Sequence, residues 1–91
     1  MEIRYFAHLR EITRVKEHTW ETPPDRLGDL LTALSRRFGP SFQRWVLEPD
    51  GRLSELSIIL VNGRDSRELR GLDTPLKPDD IIAIFPPVAG G

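Results

Sequence analysis

Leu27, Leu30, Leu31, Leu34 and Phe38 fall at i, i+3, i+4, i+7 and i+11, the spacing of one apolar stripe on an amphipathic helix. This is the single long stripe in a chain of 91 residues, and it constrains the fold more than any other feature. A helix with one face to bury must lie across one face of one sheet. Its limits are marked by chemistry. Pro23-Pro24 stop what precedes it, Asp25 is placed to cap its first turn, and Gly39-Pro40 end it. Arg36 and Arg37 near its C-terminal end suit the helix dipole. Gly28 inside the helix costs on the order of 1 kcal/mol relative to alanine, and a close contact between helix and sheet is one explanation for it.

The flanking segments read as strands. Residues 1–9 carry Ile3, Tyr5, Ala7 and Leu9 at period two. Residues 15–21 form a second, more polar strand that pairs antiparallel with the first, with Thr13-Arg14 at the connection. Phe6 breaks the alternation, so either both faces are covered or one aromatic is exposed. Phe42, Trp45 and Val46 are spaced for one or two helical turns, and Glu48-Pro49-Asp50-Gly51 is turn chemistry. Leu56 to Val61 is β-rich and meets Asn62-Gly63, the strongest short hairpin signal, with Arg64 to Leu69 as the returning arm. Gly71 to Asp80 reads as loop. Ile81-Ile82-Ala83-Ile84-Phe85 is a continuous apolar run, the pattern of a central strand covered on both sides, and Pro86-Pro87 end it. With the last strand beside the first, the order is that of an α+β, β-grasp fold. It has a mixed sheet of four to five strands and one main helix packed on one face. A ferredoxin-like fold competes, but it wants a second full helix that residues 70–80 cannot supply. Residues 1–87 form the domain and residues 88–91 a projecting tail.

Composition excludes most chemistry. Lys and Arg total 13 against 14 acidic residues, a net charge of −1, whereas a nucleic-acid footprint needs a basic face. Without cysteine there is no disulfide scaffold, zinc knuckle, iron–sulfur site or cysteine nucleophile. Met1-Glu2-Ile3-Arg4-Tyr5-Phe6 begins no long apolar run, so the expectation is a cytoplasmic protein with no signal peptide or membrane anchor. His8 and His18 match no ligand spacing and read as surface or sheet-face imidazoles. Asp79-Asp80 suggest a cation site less readily than turn chemistry before a strand, and neither a metal nor a bound cofactor is expected. Eleven of the 13 basic residues are arginine, leaving Lys16 and Lys77. Genome composition or a thermostable surface explains that bias; it also leaves few acceptor amines.

The end of the sequence remains. Two closing glycines arise by chance about once in two hundred chains. A frayed end accounts for them, but here they follow directly from the most apolar strand, stiffened by Pro86-Pro87. Val88-Ala89-Gly90-Gly91 is therefore expected to project as a short arm, and two residues without side chains can enter a narrow channel. What they carry in is the α-carboxylate of Gly91. Adenylation by ATP would give it a good leaving group, which sulfide or an amine could replace.

Over essentially its whole length the sequence resembles the molybdopterin synthase small subunit, one of the ubiquitin-like sulfur carriers. The resemblance is carried by Tyr5-Phe6-Ala7-His8-Leu9-Arg10-Glu11, Gly28-Asp29-Leu30-Leu31, Val61-Asn62-Gly63-Arg64, Asp73-Thr74-Pro75-Leu76 and, most specifically, Phe85-Pro86-Pro87-Val88-Ala89-Gly90-Gly91. It implies that Gly91 is adenylated by a ubiquitin-activating-type adenylyltransferase, which consumes ATP, and is converted to a thiocarboxylate by a sulfur donor system. The tail from Pro86 to Gly91 would then insert into the molybdopterin synthase large subunit. The chain would be a carrier and not an enzyme on its own. Carried over by position, the partner-facing surface comprises Phe6, Leu69 and Phe85 with Arg10 beside them. Asp79 stands where the family commonly has glycine, Arg26 where a capping threonine is usual, and residues 41–56 are longer than in compact members. Longer members resemble carriers for transfer-RNA thiolation or thiamine, or protein modifiers conjugated through the terminal glycine. A binding module whose tail does nothing is the alternative of a different class.

Overall fold

The first and last segments of the domain lie side by side. The computed structural model describes residues 1–22 and 24–87; Pro23, Val88, Ala89, Gly90 and Gly91 lie outside the described residues. Strands β1 (Glu2–Tyr5), β2 (Glu17–Thr19), β3 (Ile58–Val61), β4 (Arg64–Asp65) and β5 (Ile81–Phe85) form one sheet in the order β2-β1-β5-β3-β4. The β1–β5 pair is parallel, with Ile3 opposite Ile82 and Tyr5 opposite Ile84. The β1–β2, β3–β4 and β3–β5 pairs are antiparallel. Helices α1 (Leu9–Thr13), α2 (Leu27–Phe38) and α3 (Pro40–Val46) complete the β-grasp layout. The long helix and the central position of β5 are as the apolar patterns indicate.

The stripe of α2 makes the core. Leu27, Leu30, Leu31 and Leu34 are fully buried against Ile3, Tyr5, Ile59, Ile82 and Ile84. Each such side chain contributes about 1.5–3 kcal/mol by leaving water. Phe42 and Val46 of α3 join the same cluster, and Tyr5 meets Phe38 and Phe42 edge-on with ring centroids 5.9 and 6.0 Å apart.

Several expectations are corrected. Strand β1 stops at Tyr5, because Ala7 takes φ +52° and the turn it makes starts α1. Leu9 reaches the core from that helix, so its period-two position was coincidental. Arg14 at φ +66° ends α1 with its N–H donating to the Arg10 carbonyl at 2.9 Å. Asp25 does not cap α2. Arg26 is the cap and its side chain makes no capping bond; the Leu27 N–H instead donates to the Thr74 carbonyl at 2.9 Å. The segment read as pure loop thus closes the helix N-terminus and itself holds a 3-10 turn at Gly71–Asp73. Gly28 meets this turn and not the sheet: a Cβ there would sit 3.2 Å from the Leu72 carbonyl oxygen. The returning arm of the hairpin pairs over only two residues before a 3-10 turn at Ser66–Glu68, where the Arg67 guanidinium donates to the carbonyls of Ser54 and Ser57.

Strand β5 is also not covered on both sides. Ile82 and Ile84 are fully buried, whereas Ile81 is 37% exposed and Ala83 and Phe85 are half-buried. Replacing Ile84 by alanine is expected to lower the unfolding free energy by about 2–5 kcal/mol. Replacing Ile81 by alanine should cost less than about 1 kcal/mol. Urea denaturation of the two variants checks this.

Candidate interaction site at the root of the tail

On the face of the sheet away from the α2 stripe, Phe6 and Phe85 stack with ring centroids 4.1 Å apart and planes inclined by 10°. The parallel ladder puts them there. The Phe6 N–H donates to the Ile84 carbonyl at 3.2 Å, one step beyond the last β1–β5 residue pair. The positive φ of Ala7 then turns the chain into α1, where Arg10 comes back over the same ring. Its guanidinium carbon lies 5.2 Å from the Phe6 centroid, and its Nε donates to the Tyr5 carbonyl at 2.8 Å. A cation held over an aromatic face in this way adds about 0.5–1 kcal/mol at an exposed site. The pair is half-buried, so one flank of the stack stays open.

Register extends the patch. Ile58 of β3 lies opposite Phe85 and is 47% exposed, and Leu56 just before it is 74% exposed. These two aliphatic residues were not singled out from the sequence, although Leu56 and Ile58 alternate with Ser57, which is buried. Pro86 is buried and Pro87 half-buried, so both prolines rest against the domain. The remaining tail residues named from the sequence, Val88, Ala89, Gly90 and Gly91, lie outside the described residues.

Of the four partner-facing residues expected, the structure gathers Phe6, Phe85 and Arg10. Leu69 is elsewhere. It lines a hollow of about 430 Å³ with Val61 and Asn62, at the end of β5 opposite Phe85. Asp80, one half of the suggested cation pair, is buried and makes a turn instead. Its carboxylate accepts from the Asn62 amide and from the Lys77 N–H, both at 2.8 Å.

The histidines sit away from the stacked pair. His8 packs its ring edge against Trp45, centroids 4.5 Å apart. His18 lies on the core side, where its Nε2 and the Tyr5 hydroxyl share a hydrogen bond of 2.7 Å. Burial pushes the Tyr5 hydroxyl pKa well above its ordinary value, so it stays neutral. Burial, then the nearby Arg37 charge, hold the His18 imidazole below its ordinary value. A lowered folded-state pKa means that stability is present above about pH 6.5 and is lost as pH falls below it. Urea midpoints should therefore drop between about pH 7 and pH 5.5, and His18→Gln should flatten that drop.

The stack, the two prolines that follow it and the β-grasp scaffold together define a small domain with an apolar patch at the end of its last strand. The chain belongs to the ThiS family of ubiquitin-like sulfur carriers, whose model matches residues 3–91. It is 35% identical over 92 residues to small archaeal modifier protein 3 of Haloferax volcanii, covering all of this chain and 98% of that one. The solution structure of small archaeal modifier protein 1 from Methanosarcina acetivorans matches with a TM-score of 0.83 and 32% identity, over 99% of this chain and 94% of that one. A chain in the crystal structure of the BexX/CysO complex of Amycolatopsis orientalis matches with a TM-score of 0.78 and 26% identity, over 99% and 98%.

Proposed function

We propose that this protein carries sulfur on the C-terminal carboxylate of Gly91 and delivers it in molybdopterin biosynthesis. The observation that carries the reading is the Phe6–Phe85 stack, rimmed by Arg10 and Ile58, where β5 leads into the tail. A partner that covers the stack is aligned to receive the arm. The carboxylate oxygen of Gly91 attacks the α-phosphorus of ATP, held by a ubiquitin-activating-type adenylyltransferase, and pyrophosphate leaves. Sulfide from a sulfur donor system then displaces AMP and leaves a thiocarboxylate. The arm inserts into the molybdopterin synthase large subunit, and the domain contributes position and affinity but no catalytic group. ATP is consumed by the activating enzyme, and the chain itself binds no cofactor.

A second reading rests on one specific observation, the full-length similarity to small archaeal modifier protein 3. In that case an amine of a target protein displaces AMP and forms an amide with Gly91. Both readings use the same activated carboxylate and differ in the nucleophile.

Two variants test the proposal. Deleting Gly91 is expected to abolish sulfur transfer to the large subunit and to leave the melting temperature unchanged, as is usual for the last residue of a chain. Phe85→Asp should weaken binding to the large subunit at least tenfold, about 1.4 kcal/mol or more, with a folded circular dichroism spectrum. Full transfer by the Gly91 deletion, or unchanged binding by the Phe85 variant, contradicts the reading.

A further inference from the structure

At the end of the sheet remote from the stack, the hairpin and the 3-10 turns surround the hollow that Leu69 lines. Its apolar surface comes from Val61, Leu69 and Pro75, and its charged lining from Arg64, Arg70, Lys77 and Asp80. Among the described residues the salt bridges engage Arg4, Arg26, Arg52 and Arg67, and none involves Arg64, Arg70 or Lys77. In a chain of net charge −1, three uncommitted cations therefore converge on one concavity. Arg70 and Pro75 also line an adjoining hollow with Arg26 and Asp73, so the two join into a groove.

The polar groups of the floor decide what the groove can take. Both Asp80 oxygens are engaged, by the Asn62 amide and the Lys77 N–H. The Asn62 side-chain oxygen accepts from the Ile81 N–H at 2.8 Å. The Thr74 hydroxyl donates to the Gly71 carbonyl at 2.7 Å and accepts from the Arg70 N–H. These bonds fix the backbone that bears Arg70 and Lys77, which lowers the ordering cost of binding. They also commit the Thr74 hydroxyl of the lining to the fold itself. What the groove offers a ligand is aliphatic surface ringed by positive charge. It has no aromatic ring on which a nucleic-acid base could stack.

We propose that this groove docks an acidic segment of a partner protein, with carboxylates on Arg64, Arg70 and Lys77 around an aliphatic side chain seated on Val61, Leu69 and Pro75. The inference stands on the groove alone and does not depend on sulfur chemistry at Gly91. Because Val61 is opposite Ile82 while Phe85 is opposite Ile58, the groove and the stack lie at opposite ends of β5.

The test uses the full chain, labelled with nitrogen-15, and a synthetic peptide with one leucine flanked on each side by two glutamates. Amide shifts are followed on titration at low salt, beside an otherwise identical peptide with glutamine for glutamate, inorganic pyrophosphate, and a short single-stranded RNA. The expected result is saturable shifts confined to residues 61–80 with the acidic peptide. The apparent affinity should fall at least tenfold in the exposed double variant R70E/K77E, survive in Lys77→Arg, and weaken as salt screens the charges. Shifts outside the groove, equal response to the glutamine peptide, binding untouched by charge reversal, or tighter binding of pyrophosphate or RNA at the same amides would each overturn the proposal.

Discussion

The parallel pairing of β1 with β5 is the interaction on which the rest of the molecule depends. It brings the first strand against the last, with Ile3 and Tyr5 beside Ile82 and Ile84, and so supplies the flat apolar floor that α2 needs. The two strands are separated by nearly the whole domain, so their pairing carries the closure entropy of a long loop. The same ladder, extended by the Phe6 N–H, sets Phe6 on Phe85. Core and interaction patch are thus two faces of one strand pair.

Covering only one face of the sheet has a functional consequence. The α2 stripe and α3 bury Ile82 and Ile84 completely and leave Ile58, Ile81 and Phe85 of the other face accessible. An apolar patch with a cation at its rim is the kind of exposed surface that commonly marks interaction sites. In the proposed division of labour the rigid half of the molecule sets the position of the arm, while the arm, small enough to enter a channel, carries the reactive carboxylate. The absence of cysteine fits the proposed chemistry, in which a main-chain carboxylate would bear the sulfur and no internal thiol could attack the activated end.

The long-range plan was readable because it follows from periodicity. The leucines of α2 could be buried in only one way, and the apolar run at Ile81–Phe85 belonged at the centre of the sheet. What escaped was short and set by backbone geometry. Nothing in Ala7-His8-Leu9 announces that an alanine adopts φ +52° and starts a helix. The apparent alternation through Leu9 misled because a strand and a one-turn helix can both carry that leucine inward. The cap of α2 was missed for a related reason, since its acceptor is the Thr74 carbonyl, 47 residues from Leu27. Side-chain capping rules do not reach that far. The out-of-pattern Phe6 is explained by its stacking on Phe85. Leu69 was placed by resemblance and not by pattern, and it faces the basic hollow instead of the stack. Ile58 was hidden because it opens the apolar run Ile58-Ile59-Leu60-Val61, which does not reveal which of its residues face solvent, and the buried residue before it is a serine.

The central claim is that Gly91 is the point of chemistry. Intact-mass measurement after incubation with ATP, the cognate activating enzyme and sulfide tests it most directly. The account predicts replacement of one oxygen by one sulfur, localised by fragmentation to Gly91. An unchanged mass with an enzyme proven active on ATP, or a sulfur found on any other residue, would contradict it.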